Sequence, residues 1–311
     1  MDRDLSLEYL KVTEAAAIAA AKLIGNGDRK KADALAVEAM RKMFDQVPIA
    51  GTVVIGEGEI DQAPMLYIGE AVGTGQGPEV DIAVDPLEGT NLVAKGMPGA
   101  IVCLAVAPKD CFLHAPDMYM DKIAVGPEAA GKIDITRSVA DNIRAVALAK
   151  NKKVEDITVI CLERDRHDQI IAEARAIGAR VHLIADGDVA AALACAAPDS
   201  GIDIMLGIGG APEGVLAAAG LKSLGGELQG KLAPRNEKEI ERAISMGTDP
   251  EKILLMDDLV KSEDVQFIST GVTSGDFLQG LKYAADGSII TYSIIINGRD
   301  KKTRYVQTIH R

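Results

Sequence analysis

Residues 80–90 read VDIAVDPLEGT. Val80, Ile82, Ala83 and Val84 make a short apolar run with the length and composition of a buried strand, interrupted by Asp81. The run passes directly into Asp85-Pro86-Leu87-Glu88-Gly89-Thr90. Pro86 has a fixed φ and stiffens the turn after Asp85. Gly89 lets the backbone approach a ligand closely. The offset of three lets Asp85 and Glu88 converge on one point, and Thr90 adds a hydroxyl at the same rim. Strand, carboxylate, turn, carboxylate, glycine and hydroxyl together make a compact place for a hard divalent cation and a phosphate.

Upstream of this motif, residues 11–24 are Ala-rich and predict a helix closed by Gly25-Asn26-Gly27. Ala32, Leu35, Ala36, Ala39, Met40 and Met43 recur at helical spacing and predict a second helix with Asp33 in its first turn. Residues 51–55 predict a strand that opens into Gly56-Glu57-Gly58-Glu59-Ile60-Asp61. Downstream, residues 101–107 predict another strand. Residues 116–120 begin an irregular stretch with a turn at Gly126-Pro127. From about residue 141 strands and helices alternate: strands over 157–162, 180–185 and 202–208, with helices over 168–177, 189–196 and from Pro212. That succession implies parallel pairing, with the connecting loops gathered at the strand C-termini. A charged helix over 236–246 follows, then strands over 266–269, 288–296 and 303–309. With 311 residues, no repeat and no low-complexity linker, two packed domains are expected. Residues 1–140 are the α+β domain with most of the carboxylates, and residues 141–311 are an α/β domain.

Composition narrows the function. The chain has 46 acidic and 34 basic residues, a net charge of −12, 3% aromatics and no Trp. A nucleic-acid binder is expected to show a basic face and, for single strands, aromatic stacking platforms, and this composition favours neither, so no nucleic-acid partner is expected. Its apolar runs are short and broken by charges, so no membrane span is expected, and Met1-Asp2-Arg3-Asp4 does not open a signal-like segment. A cytoplasmic enzyme is the expectation. The four cysteines, Cys103, Cys111, Cys161 and Cys195, form no C-x-x-C and read as reduced, mostly buried thiols.

Five acidic residues fall at element edges beside small residues: Asp33, Glu57, Asp85, Glu88 and Glu213. Carboxylates so placed suit Mg2+ or Mn2+, although acidic loop residues are as a rule simply solvated.

The Asp85–Thr90 motif resembles the signature of the lithium-sensitive, metal-dependent phosphatase superfamily, which includes inositol monophosphatases and fructose bisphosphatases. Residues 28–41 (DRKKADALAVEAMR), 51–70 (GTVVIGEGEIDQAPMLYIGE), 85–92 (DPLEGTNL), 116–127 (PDMYMDKIAVGP), 207–214 (GIGGAPEG) and 225–232 (GGELQGKL) are similar, in order, to class II (GlpX-type) fructose-1,6-bisphosphatases. The resemblance runs over nearly the whole chain. It implies an α/β class, a layered α-β-α-β-α sugar-phosphatase fold. It also implies Mn2+ or Mg2+ as cofactor, fructose 1,6-bisphosphate as substrate in gluconeogenesis, and a homo-oligomer, dimer or tetramer.

Carried over position by position, the metal ligands are Asp33, Glu57, Asp85, Glu88 and Glu213. The substrate contacts are Glu88, Gly89, Thr90, Tyr119, Arg164, Asp165, Arg166, Asp186, Gly187, Asp188 and Gly210. Thr90 positions the attacking water, with Asp33 as its acidic partner, and the phosphoryl group passes directly to water without a covalent intermediate. Several residues keep a second reading. Tyr119 is also a reasonable half-buried core residue, Arg164 and Arg166 surface ion-pair partners, and Asp188 an N-cap. Glu59 and Asp61 either join the metal site or are solvated. His114, His167, His182 and His310 show no ligand spacing, and His167 reads as structural or solvated. Residues 25–29 depart from the family's Gly-Arg-Gly-Asp-Lys: Arg29 keeps a basic residue, and Asn26 loses one. Rival readings are a bifunctional fructose-1,6-/sedoheptulose-1,7-bisphosphatase, a catalytically silent sugar-phosphate-binding regulator, an inositol or nucleotide monophosphatase lacking its Trp-Asp pair, and a dinucleotide site at residues 207–210 lacking the full glycine spacing.

Overall fold

The structure, a computed structural model, describes residues 5–58 and 65–311. The chain begins with α1 (Ser6–Ala21) and α2 (Arg29–Phe44). Small residues bring these two helices together: Ala16, Ala17, Ala20, Ala32 and Ala36 are all buried. Asp28 caps α2, its side chain accepting the Lys31 N–H at 3.0 Å. Then come β1 (Ala50–Ile55), β2 (Ala71–Val72), β3 (Glu79–Glu88), α3 (Thr90–Lys95) and β4 (Ile101–Pro108). β4 is apolar throughout and buried up to its last residue. A run buried on both faces cannot alternate with polar residues. Asp81 interrupts the matching run of β3 and is buried, and its carboxylate accepts the Cys111 and Phe112 N–H groups at 2.8 and 3.2 Å.

A second unit follows: β5 (Tyr119–Val125), α4 (Val139–Ala149), β6 (Thr158–Leu162), α5 (Asp168–Ala176), β7 (Arg180–Ile184), α6 (Asp188–Ala194), β8 (Ile204–Gly210), α7 (Ala211–Leu224), β9 (Glu227–Leu232), α8 (Glu237–Ser245), β10 (Ile253–Leu254) and α9 (Met256–Leu259). Its sheet has the order β10-β9-β5-β8-β6-β7. β6 lies parallel to both β7 and β8, as the strand–helix alternation requires. β5 runs antiparallel between β8 and β9. Ile123, Val125, Ile143, Val146, Val159 and Ile204 share one core cluster.

The chain then adds β11 (Gln266–Gly271), β12 (Lys282–Tyr283), β13 (Ile289–Asn297) and β14 (Lys302–His310) to the first sheet. Its order is β12-β13-β11-β4-β3-β1-β2, with β14 paired to β13. α1 packs on this sheet partly through hydroxyls. Thr13 Oγ1 meets Thr270 Oγ1, which meets Ser293 Oγ, each at 2.8 Å.

The α/β class expected from the sequence is observed. The contact units differ from the expected domains. One comprises the described residues up to Leu113 together with Ser262–Arg311, and the other is His114–Lys261. Two features move the boundary from residue 140. The stretch that reads as irregular is β5, in the interior of the second sheet; Asp121 and Lys122 break its apolar pattern. The last strands return to the first sheet because β11 pairs with β4.

Lys122 is the exception inside β5. It is 2% exposed, and its ammonium donates to Asp188 Oδ2 at 2.6 Å and to the Gly210 carbonyl at 2.8 Å. Removing one member of a buried pair leaves an uncompensated charge. Lys122→Met is therefore expected to lose about 3–5 kcal/mol of unfolding free energy. Lys231→Met, which breaks only the exposed pair with Glu251, is expected to change it by about 1 kcal/mol or less. Urea denaturation of both variants beside the parent measures the contrast.

Candidate metal and phosphate site

In the first unit the motif is a β-bulge inside a strand; the expected turn after the strand is not seen. Asp85 stands opposite Cys103 and Glu88 opposite Ile101, so β3 carries one residue more than β4 between them. The bulge is fastened by the Leu87 N–H, which donates to Asp85 Oδ1 at 2.9 Å, and by Leu87 itself, buried in the core. Its effect is to bring a carboxylate oxygen of Asp85 and one of Glu88 within 4.8 Å of each other. Glu88 is only 6% exposed. The thiol of Cys103 registers this concentration of charge: burial raises its pKa, and the Asp85 and Glu88 charges raise it further. Paired carboxylate oxygens on a rigid support fit a hard divalent cation.

Gly89 ends the strand at φ 86° and starts α3. A Cβ there would lie 2.8 Å from Leu92 Cδ1, so both backbone and space demand glycine. Thr90 is the first residue of α3 and is half-buried. Asp33 lies in the second turn of α2, because the helix starts at Arg29, earlier than its apolar spacing suggests. Burial raises the Asp33 pKa. α2 packs against α3, and the loop between α1 and α2 is tied to α3 by the Gly25 and Gly27 N–H groups, which donate to the Val93 and Ala94 carbonyls at 2.8 and 2.9 Å. Glu57 follows β1, half-buried, with its N–H donating to the Leu66 carbonyl at 3.0 Å. Glu59 and Asp61 lie outside the described residues.

In the second unit the expected residues sit on strand ends and the loops after them. Tyr119 opens β5 directly opposite Gly210, the last residue of β8. Glu213 is in the first turn of α7, where the helix dipole favours a carboxylate. Its carboxylate folds back onto Gly210, where a Cβ would collide with Oε2. Arg164 follows β6 and donates to the Glu163 and Ala185 carbonyls at 2.8 and 2.7 Å, tying this loop to the one after β7. Arg166 donates through Nε and Nη2 to the Ile208 carbonyl at 3.1 and 2.7 Å, and its guanidinium lies 4.9 Å from the Tyr119 ring centroid. Both arginines bond backbone carbonyls, unlike surface ion-pair partners. Asp165 is exposed, Asp186 half-buried, and Gly187 caps α6 at φ 90°. Asp188 is inside α6 and its side chain caps nothing; it pairs with Lys122. Gly209 has no room for a Cβ, which would collide with Asp188 Oδ2.

His167 is buried and structural. Its Nδ1 meets the Leu162 carbonyl at 2.8 Å, and Nε2 accepts the Ile208 N–H at 2.8 Å. That pattern assigns the proton to Nδ1. Burial lowers its pKa, so the ring stays neutral. All four cysteines are free, and burial pushes the Cys161 thiol up to about 11. Sequence reasoning missed Lys122, whose signal was a cation beside Asp121 in a strand of otherwise apolar and aromatic residues, and Arg235, whose guanidinium also lies over Tyr119, 5.1 Å from the centroid.

Among solved structures, the chain is similar to the extragenic suppressor protein suhB of Bartonella henselae, with 12% identity and a TM-score of 0.34 over 63% of this chain and 74% of that one. It is also similar to an inositol monophosphatase from Anabaena (Nostoc) sp. PCC 7120, with 17% identity and a TM-score of 0.31 over 61% and 70%. Sequence likeness is far closer. The chain is 48% identical over 324 aligned positions to fructose-1,6-bisphosphatase 1 class 2 of Escherichia coli K12, covering 100% of this chain and 96% of that protein. The same figures hold for the class 2 enzyme of Shigella flexneri. The family model for bacterial, glpX-encoded fructose-1,6-bisphosphatase matches residues 3–310. With the bulged Asp85–Thr90 motif inside a match of that length, the chain belongs to the family of bacterial, glpX-encoded fructose-1,6-bisphosphatases.

Proposed function

We propose that the chain hydrolyses the 1-phosphate of fructose 1,6-bisphosphate to give fructose 6-phosphate and phosphate. The observation that carries this reading is the bulge that pairs Asp85 with Glu88 and is followed by Gly89 and Thr90, in a chain related to class 2 enzymes over its full length.

Asp33, Glu57, Asp85, Glu88 and Glu213 would hold Mg2+ or Mn2+. Such ions neutralise charge on the phosphoryl oxygens and lower the pKa of a bound water. The chain's own residues bind and orient. Thr90 offers a hydroxyl at the start of α3 to align the attacking water. A threonine hydroxyl is a weak base on its own, and Asp33 is the acidic partner that takes up the proton. Arg166 and Tyr119 face the substrate's charge, with Arg166 already immobilised by the Ile208 carbonyl. Asp186 accepts hydrogen bonds from sugar hydroxyls. Asp188, Gly187 and Gly210 shape the same wall, with Lys122 holding Asp188 and Gly210 in place. Arg164 and Asp165 complete the loop after β6. A cytoplasmic homo-oligomer belongs to this reading. No helix among the described residues is long and apolar enough to cross a membrane.

The direct test is phosphate release from fructose 1,6-bisphosphate, sedoheptulose 1,7-bisphosphate, fructose 1-phosphate and inositol 1-phosphate, each with Mg2+ and with Mn2+. Release is expected to be fastest from fructose 1,6-bisphosphate and to stop on chelation. No release from it with either ion would overturn the reading. Comparable release from the sedoheptulose ester would make the enzyme bifunctional. Thr90→Ala is expected to lower kcat by about 100-fold or more, the scale of a lost acid–base group, while substrate still binds by calorimetry; near-normal turnover would remove Thr90 from the chemistry. Glu213→Gln is expected to raise the metal concentration needed for half-maximal activity by about tenfold or more. An unchanged metal titration would take Glu213 out of the ligand set.

A further inference from the structure

Tyr119 has two cations over its ring. Arg166 lies 4.9 Å from the centroid and Arg235 lies 5.1 Å from it. Arg166 belongs to the expected substrate loop, but Arg235 comes from the segment after β9. That segment is fixed beside Tyr119 by a backbone bond, the Ala233 N–H donating to the Tyr119 carbonyl at 2.8 Å.

The two guanidiniums are anchored in the same way. Arg166 spends Nε and Nη2 on the Ile208 carbonyl. Arg235 spends Nε and Nη2 on Glu239 Oε1, at 2.9 and 2.6 Å. Glu239 is fixed in turn: its Oε2 accepts the Arg235 N–H at 2.7 Å, and its own N–H donates to the Asn236 side chain at 3.1 Å, the cap of α8. Among the described residues neither Nη1 has a hydrogen-bond partner. Two forks are therefore held by one edge each, with their remaining donors directed away from the anchors and a phenol between them in sequence and in contact. Like charges gathered on one ring repel each other. Cation–π attraction at this half-buried ring offsets only part of that, and an oxyanion shared by both would relieve it. Arginine forks suit the tetrahedral oxygens of a phosphomonoester.

We propose that Arg235 is a substrate-binding residue that joins Arg166 and Tyr119 in holding the phosphate that is not cleaved. This rests on the bisphosphatase reading above. The bland reading is that Arg235 serves only to anchor Glu239 at the start of α8. It predicts that removing either partner has the same effect.

The experiment compares Arg235→Ala, Arg235→Lys and Glu239→Ala with the parent enzyme in the presence of metal. In phosphate-release assays, Arg235→Ala is expected to raise KM for fructose 1,6-bisphosphate by about tenfold to a hundredfold, the range of a lost charged hydrogen bond. The change in kcat is expected to be smaller. KM for fructose 1-phosphate, which lacks the second phosphate, moves much less. Arg235→Lys recovers part of the loss, and Glu239→Ala, which keeps the guanidinium but loses its anchor, raises KM for the bisphosphate clearly less than Arg235→Ala does. Titration calorimetry with fructose 6-phosphate reads the same site without turnover and is expected to show the same tenfold or greater weakening in Arg235→Ala. An unchanged KM for the bisphosphate, equal shifts for both esters, or a Glu239→Ala variant that matches Arg235→Ala would each overturn the proposal. If the parent binds fructose 6-phosphate through Arg235 yet releases no phosphate, the clamp stands and the hydrolytic reading falls. If the parent does not bind it, the clamp falls.

Discussion

One extra residue in β3 sets the geometry of the first unit's site. A regular strand would send Asp85 and Glu88 to opposite faces of the sheet, because their positions differ by an odd number. The bulge resets the alternation, so that both carboxylates stand on one side, near enough to share a cation. It survives because its neighbours over-determine it. Leu87 is locked into the core and bonded to Asp85, and β4 provides an apolar partner with no freedom to slide. Gly89 then turns the chain through a backbone angle that other residues resist, and Thr90 enters α3 with its hydroxyl close to the paired charges in sequence.

The second unit solves a different problem, which is holding polar loops still without a bulge. Its devices are small and buried. Lys122 reaches from the middle of β5 to Asp188 and to the Gly210 carbonyl, joining the start of α6 to the end of β8. Gly209 and Gly210 are the positions where carboxylates press against the backbone, and side chains there would displace Asp188 or Glu213. His167 does the same work with a neutral ring, bridging the end of β6 and the end of β8. Gly207 leaves room for it, since a Cβ at that point would come within 3.1 Å of the imidazole.

Much of this was legible beforehand, for reasons that differ between residues. β4 and the run before Asp85 were readable because buried strands are continuous in apolar side chains. The Asp85–Thr90 segment was readable as chemistry because Pro, Gly and two carboxylates in that spacing have few other uses. The bulge was not readable, because an extra residue is defined only against the partner strand. β5 was hidden by Asp121 and Lys122, charges whose partners lie far away in sequence. The same blindness to long-range pairing hid the return of residues 266–310 to the first sheet and concealed Arg235, whose position depends on the segment after β9 returning to Tyr119.

The return of β11 to β4 also bears on how the polypeptide comes off the ribosome. Residues 114–261 form a continuous unit, so all of its strands are available to one another while the tail is still being made. β3, which carries both Asp85 and Glu88, is synthesised earlier, but its sheet waits longer for its last strands. β4 stays an unpaired apolar edge until residues 266–271 emerge to cover it, and such an edge is open to mispairing in the meantime. In time as well as in space, the carboxylate-bearing sheet is the part of the chain that is finished last.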